Sequence, residues 1–154
     1  MAAPKILIEK SLRRLTLLRE DGPAFSCPIA LGSQPVGHKA RAGDGKTPEG
    51  QYAVCLIKER GKFGPSLGLS YPSLRDARAA VLDDRLDPAL LPLFEAAERT
   101  GNRPPWGTPL GGEIYIHGGG ASSDWTAGCV ALHDDDMAAL FPLCPLGTPV
   151  EILP

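Results

Sequence analysis

The sequence predicts a mainly β protein, a twisted β-sandwich or barrel with one or two peripheral helices. Three observations carry that prediction. Short apolar runs separated by turn residues recur along most of the chain, which is the pattern of strands and hairpins. The 18 glycines and 16 prolines are dispersed rather than clustered, so they read as many turns and not as a linker or low-complexity tract. Only two stretches carry helix signals. At 154 residues and 16.3 kDa the chain is one domain, residues 1–154, large enough for an ordinary core. No internal repeat stands out.

From the N-terminus, residues 5–20 hold two apolar runs, Ile6-Leu7-Ile8 and Leu15-Thr16-Leu17-Leu18. Asp21-Gly22 then separates the second run from Phe25-Ser26-Cys27-Pro28-Ile29-Ala30-Leu31-Gly32 and signals a hairpin. Thr47-Pro48-Glu49-Gly50 suits a type I turn, with Pro second and Gly fourth, and the strand Tyr52-Ala53-Val54-Cys55-Leu56-Ile57 comes after it. The clearest helical stretch is 87–100, with Asp87 as N-cap, Pro88 at the first helical position and Gly101 just past the end; Pro92 fits its opening turns marginally, which moves the expected start later. A second helix is expected from about Asp134 to Phe141, led by three aspartates that favour its positive end. Pro149-Val150-Glu151-Ile152-Leu153 reads as the last strand.

Composition excludes several function classes. A net charge of −2 and a pI near 5.9 leave no basic footprint for nucleic acid. No run of 18 apolar residues offers a membrane span. Met1 to Ser11 lacks the charged start and apolar stretch of a secretory signal. Four cysteines at spacings of 28, 74 and 15 (55−27, 129−55, 144−129) match no metal or redox pattern.

The chemistry concentrates in residues 114–132. An apolar run ends at His117-Gly118, and Gly128-Cys129 comes after a loop containing three consecutive glycines and two serines. A thiol with an ordinary pKa of about 8.5 is mostly protonated at neutral pH, and a neighbouring imidazole that takes its proton raises the reactive fraction. Twelve positions (129−117) let the loop fold back and bring the two side chains together. Gly128 leaves room beside the sulfur, and backbone N–H groups around Cys129 are candidate oxyanion donors. The base needs an acceptor on its far ring nitrogen. No acid is placed for that role, so the Gly118 carbonyl is the nearest candidate.

The plainer readings run alongside. Cys27, Cys55 and Cys144 read as small core residues, and Cys129 differs in succeeding Gly in a loop that starts from His-Gly. Gly45-Lys46-Thr47 lacks the upstream Gly and the downstream helix of a phosphate loop. His117, Cys129, His133 and Asp134-Asp135-Asp136 match no zinc spacing, and the aspartates are simpler as helix-capping residues. His133 and His38 are expected at the surface. Trp125 and Tyr71 fit either core packing or a wall for an extended peptide.

Taken together, Ile116-His117-Gly118 and Thr126-Ala127-Gly128-Cys129-Val130 resemble the signature of the L,D-transpeptidase catalytic domain, the YkuD family. Upstream, residues 43–52 resemble the family's Lys-Thr-Pro-x-Gly segment, and 66–72 with Asp76 beyond them resemble its substrate-side segment. The resemblance covers most of the chain in the family's order. It implies that family's mainly β fold, with Cys129 as nucleophile, His117 as its partner and the Gly118 carbonyl as orienting group. Gly128, Ala127, Thr126, Trp125 and Tyr71 are then the candidate substrate-binding residues. Ala127 and Ala131 depart from the His and Arg that many members carry, and the Asp124 to Cys129 pattern is closer to a subgroup containing both cross-linkers and hydrolases. The absent Arg removes a carboxylate clamp.

The resemblance thus implies cysteine-dependent acyl transfer on peptidoglycan stem peptides through a thioester, part of cell-wall and cell-shape chemistry. An acceptor amine or a lipoprotein is the expected second partner. The alternatives are an L,D-specific hydrolase of peptidoglycan links and a catalytically idle peptidoglycan-binding domain. No cofactor or metal is implied, and a monomer is expected. Such an enzyme is expected in the periplasm or cell envelope if exported; without a visible signal, a cytoplasmic location stays open.

Overall fold

Alternation builds the first ribbon. In β1 (Lys5–Glu9) Ile6 and Ile8 face inward while their neighbours stay half-buried, the period-2 pattern of a strand with one covered face. It pairs antiparallel with β2 (Arg14–Arg19), and β2 pairs with β3 (Gly22–Pro28) across the two-residue turn Glu20–Asp21. Gly22 takes φ +121 at the exit of that turn, a conformation that favours glycine. The computed structural model describes residues 4–154; Met1–Ala3, part of the stretch read for a signal, lie outside the described residues.

The centre of the sheet is made by β8 (Pro149–Leu153), parallel to β1 and antiparallel to β4 (Gly50–Gly61). The long β4 continues past β8 to pair with β5 (Gly64–Leu69), then β6 (Tyr115–His117) and β7 (Val130–Ala131) complete the order β3-β2-β1-β8-β4-β5-β6-β7. The register of β4 shifts between Val54 and Leu56, which leaves Cys55 as the extra residue of a bulge. Cys55 is therefore half-buried rather than in the core. Beyond β3, Ala30 bridges Ala131 and Gly32 bridges Thr126, so the curled sheet brings its two ends together. This is the mainly β architecture the sequence predicts.

The concave side encloses one core of strand residues, including Ile6, Leu15, Leu17, Leu31, Leu67 and Ile116, capped by Met137 and Leu140 of α3 (Asp134–Leu140). A smaller cluster lies between α1 (Leu74–Leu82) and α2 (Leu91–Thr100) around Phe94 and Leu110.

Helices account for most differences from expectation. Asp87 caps as predicted, accepting from Ala89 N at 3.0 Å, but it opens a 3₁₀ turn, Pro88–Leu90, and the α-helix starts at Leu91. Pro92 has no N–H to offer the Pro88 carbonyl, so an α-helix cannot run through from Pro88. Gly101 ends α2 at φ +75. The helix α1 is not among the expected elements. Its start is a capping box, in which Asp76 N donates to Ser73 Oγ and Ser73 N donates to the Asp76 carboxylate. Thr47–Gly50 is not a turn: the Lys10 ammonium takes the Thr47 carbonyl at 2.8 Å and Glu49 N donates to His38 Nδ1 at 2.8 Å, which holds the segment extended into β4.

Candidate active site

Strand register decides which side chains meet. β6 and β7 are parallel, with Ile116 opposite Val130 and His117 opposite Ala131. Side chains alternate across a strand, so Ile116 and Val130 enter the core while His117 and Cys129, the latter two positions before Ala131, share the other face. Cys129 is partly exposed and His117 is 5% exposed. The two predicted chemical groups are thus brought to one face, although no hydrogen bond joins them among the described residues.

The imidazole side is tightly packed. His117 Nδ1 lies 2.5 Å from the Gly118 carbonyl. Because a carbonyl only accepts, Nδ1 carries the proton and Nε2 keeps its lone pair. The Phe63 ring stacks on the imidazole at 4.5 Å, and the Trp125 indole meets it edge-on at 5.7 Å. Phe63 arrives on the tip of the β4–β5 hairpin. Trp125 is fixed by an Nε1–H bond to the Gly120 carbonyl at 2.9 Å. Asp134, the first residue of α3, accepts from Gly119 N at 2.9 Å and so braces the peptide after Gly118; a Cβ on Gly118 would stand 2.5 Å from that carboxylate. Burial lowers the His117 pKa, against the Gly118 bond that raises it, so the resting imidazole is neutral.

The thiol side is a loop tied at several points. Thr126 Oγ1 donates to the Cys129 carbonyl at 2.7 Å and accepts from Gly128 N at 3.1 Å. Asp124 accepts from Leu31 N at 3.0 Å and from the Arg13 guanidinium at 2.9 Å, which anchors the loop to the first hairpin. Gly128 has φ +149, and a Cβ there would stand 2.8 Å from the Lys46 carbonyl; only glycine lets the two segments approach so closely. The Cys129 sulfur accepts from Tyr115 N at 3.4 Å and lies 3.5 Å from the Glu113 carbonyl. Glu113 holds a left-handed φ of 55, uncommon for a residue with a Cβ. Burial raises the Cys129 pKa, and the Tyr115 amide and the Lys39 charge offset that only in part. The resting group is a thiol.

Cys129 opens into a cavity of about 380 Å³, whose lining includes Lys39, Trp106, Gly112, Glu113, Ala127 and Gly128. A second hollow of about 320 Å³ lies against Phe63, Gly119, Gly120 and Trp125. Of the predicted substrate-binding residues, Ala127, Gly128 and Trp125 therefore line open space. Thr126 is buried and holds the loop instead. Tyr71 is corrected: at 1% exposure, its hydroxyl donates to the Leu110 carbonyl at 2.9 Å, so it lies behind the wall rather than on it. Trp106 is the wall, its Nε1 donating to the Tyr71 carbonyl at 2.9 Å and its ring 5.7 Å from Tyr115. Asp76, at the end of the segment that resembles the family's substrate side, is also scaffold. It accepts from Tyr52 Oη at 2.8 Å and contacts His38 Nε2 at 2.9 Å, which makes His38 a structural tie rather than a solvated side chain. His133 is exposed as expected.

A curled eight-stranded sheet presenting a loop thiol and a strand imidazole on one face places the protein in the L,D-transpeptidase fold class. Pgp2, described as a helical cell shape determining protein from Campylobacter jejuni, superimposes with a TM-score of 0.66 at 22% identity, covering 97% of this chain and 47% of that one. Bd1075 from Bdellovibrio bacteriovorus gives 0.64 at 22% identity, with 99% and 48% covered. An L,D-transpeptidase from Xylanimonas cellulosilytica gives 0.58 at 14% identity, with 99% and 61% covered. These likenesses establish the fold, and the chain spans about half the length of the first two. No curated protein matches the chain. The model of the YkuD family, the L,D-transpeptidase catalytic domain, matches residues 3–152, and the chain belongs to that family.

Proposed function

We propose that the protein is a cysteine acyltransferase acting on peptidoglycan stem peptides, with Cys129 as nucleophile. The observation that carries this reading is that His117 on β6 and Cys129, the residue before the parallel strand β7, share one face, with the imidazole tautomer fixed by Gly118.

The geometry supports a two-stage reaction. The resting pair is neutral on both sides, so the proton moves when substrate arrives: His117 Nε2 takes the Cys129 proton as the sulfur attacks the carbonyl preceding a D-amino acid. General-base contacts are often long in a free enzyme and tighten on substrate binding. A carbon–sulfur bond forms, and backbone N–H groups near Cys129 stabilise the oxyanion. The C–N bond then breaks as His117 returns the proton to the departing amine. The thioester is resolved by an acceptor amine, giving transpeptidation, or by water, giving hydrolysis of the same link. The site of action on this reading is the cell envelope.

Intact-mass spectrometry with a tetrapeptide stem or a carbapenem should detect an adduct that Cys129→Ala removes. Turnover persisting in Cys129→Ala sinks the assignment. Product masses with and without an added amine separate transfer from hydrolysis. Failure of Cys129 to react with iodoacetamide faster than Cys27, Cys55 and Cys144 would favour an idle binding domain.

A further inference from the structure

Two lysines of this protein are buried, and their surroundings differ. Lys10, at 3% exposure, spends all three ammonium N–H groups: on the Gly37 carbonyl at 2.9 Å, the Thr47 carbonyl at 2.8 Å and Glu49 at 3.0 Å. It is a structural tie. Lys39, at 4% exposure, has one protein partner among the described residues, Asp44 at 2.9 Å. An ammonium carries three donors, and buried donors are normally paired, so two remain to be accounted for.

Lys39 lines the Cys129 cavity. Its Nζ lies 3.5 Å from where a Cβ on Gly128 would be, beside the nucleophile. Asp44 is held in turn by the amides of Ala40, Arg41 and Lys46 at 2.8, 3.1 and 3.1 Å. Burial works against its charge, but the Ala40 amide, Lys39 and the other amides hold its pKa at about 2. Lys39 is thus tethered by a carboxylate that is itself held by three amides, with its Nζ beside Gly128 at the cavity.

Resting on the acyl-transfer reading, we propose that Lys39 is a specificity-determining residue: its ammonium binds the free α-carboxylate of the single D-amino acid that departs. Counted from the scissile carbonyl, that carboxylate lies three bonds further, roughly 3 to 4 Å, which fits a cation one residue from Cys129. Trp106 and Gly112 wall the same cavity, with the indole packed so closely that a Cβ on Gly112 would collide with it. The cation that Ala131 does not supply thus comes from the segment preceding the Lys-Thr-Pro stretch. The preferred donor is a stem ending one residue beyond the scissile bond; a leaving group capped as an amide or continued into a cross-link leaves the ammonium without its anion.

The test compares a tetrapeptide stem ending in a free D-alanine carboxylate with the same stem ending in D-alaninamide, using release of the terminal residue and the Cys129 thioester mass as readouts. The wild type should favour the acid by on the order of tenfold to a hundredfold in kcat/KM, the range of a charge-assisted hydrogen bond. Lys39→Met should bring the ratio close to one, chiefly through KM for the acid, and Lys39→Arg should restore part of it. The ratio is taken within one enzyme, so a loss of stability does not imitate the effect. Equal use of acid and amide by the wild type, or an unchanged ratio in Lys39→Met, overturns the role of Lys39 while leaving Cys129 as nucleophile. A wild type that forms no adduct with either stem or with a carbapenem overturns both.

Discussion

His117 ends one strand and Cys129 immediately precedes its parallel neighbour, yet their surroundings are opposite. The imidazole packs against Phe63 and Trp125, which also touch each other, and its peptide is braced by Asp134. The thiol faces an open cavity lined by an under-partnered ammonium, and among the described residues its hydrogen bonds go to a backbone amide and a backbone carbonyl. The difference separates two tasks. On the proposed acyl-transfer reading, the base is fixed by packing, so its position does not depend on the ligand, and the nucleophile is set where a ligand completes the surroundings. Changes on the imidazole side should therefore act on kcat, and changes on the cavity side on KM.

The largest effect is expected from His117→Gln, which keeps an apolar stem against the two rings but removes the proton acceptor. It should lower kcat/KM on a tetrapeptide stem by about 10² to 10⁴-fold, the usual contribution of general acid–base catalysis. A loss below tenfold would mean that the imidazole is a spectator.

Next come the rings. Phe63→Ala and Trp125→Ala should each lower kcat by roughly tenfold to a hundredfold, since a displaced base is a misoriented one, with KM little altered. Trp106→Ala should do the reverse, raising KM. If the three variants behave alike, the division between the two sides is wrong.

Asp134→Ala should cost about tenfold in kcat by freeing the Gly119 amide, whereas Asp134→Asn, which keeps an oxygen acceptor, should retain most activity. Equal losses in the two would assign the effect to charge instead of orientation.

The smallest effect is a displacement of the pH profile. Burial lowers the His117 pKa, so its basic form survives to lower pH and the acid limb of kcat/KM should fall below the ordinary histidine value of about 6.5. Burial raises the Cys129 pKa, so alkylation by iodoacetamide should still be climbing above about pH 8.5. An acid limb above 6.5 would mean that a neighbouring negative charge, not burial, governs the imidazole.

The sequence carried the local part of this arrangement. Alternation exposed the strands, and the His-Gly and Gly-Cys pairs marked the candidate site because they flank one short loop. The long-range part escaped. Phe63 reaches His117 only through the pairing of Ser66 with His117 across β5 and β6. Lys39 stands 90 positions before Cys129 (129−39), and nothing in its flanking residues distinguishes it from a solvated lysine. Tyr71 lies in the segment that resembles the family's substrate side and fits core packing or a wall, yet its side chain turns inward, where its hydroxyl donates to the Leu110 carbonyl. The capping box of α1 is readable as Ser73 with Asp76 three positions on, but the proline-rich approach to it speaks for a loop.

The position of β8 has a consequence for timing. The strand is the last of the eight along the chain, yet it lies in the middle of the sheet, between β1 and β4. On a ribosome the first ribbon emerges early and the segments that bear the histidine and the cysteine come later, and until residues 149–153 appear no strand joins β1 to β4. Pairing partners separated by more than a hundred residues, such as Ile6 and Val150, form slowly. A nascent chain therefore holds every residue that lines the Cys129 cavity before the strand that closes the middle of its sheet has emerged.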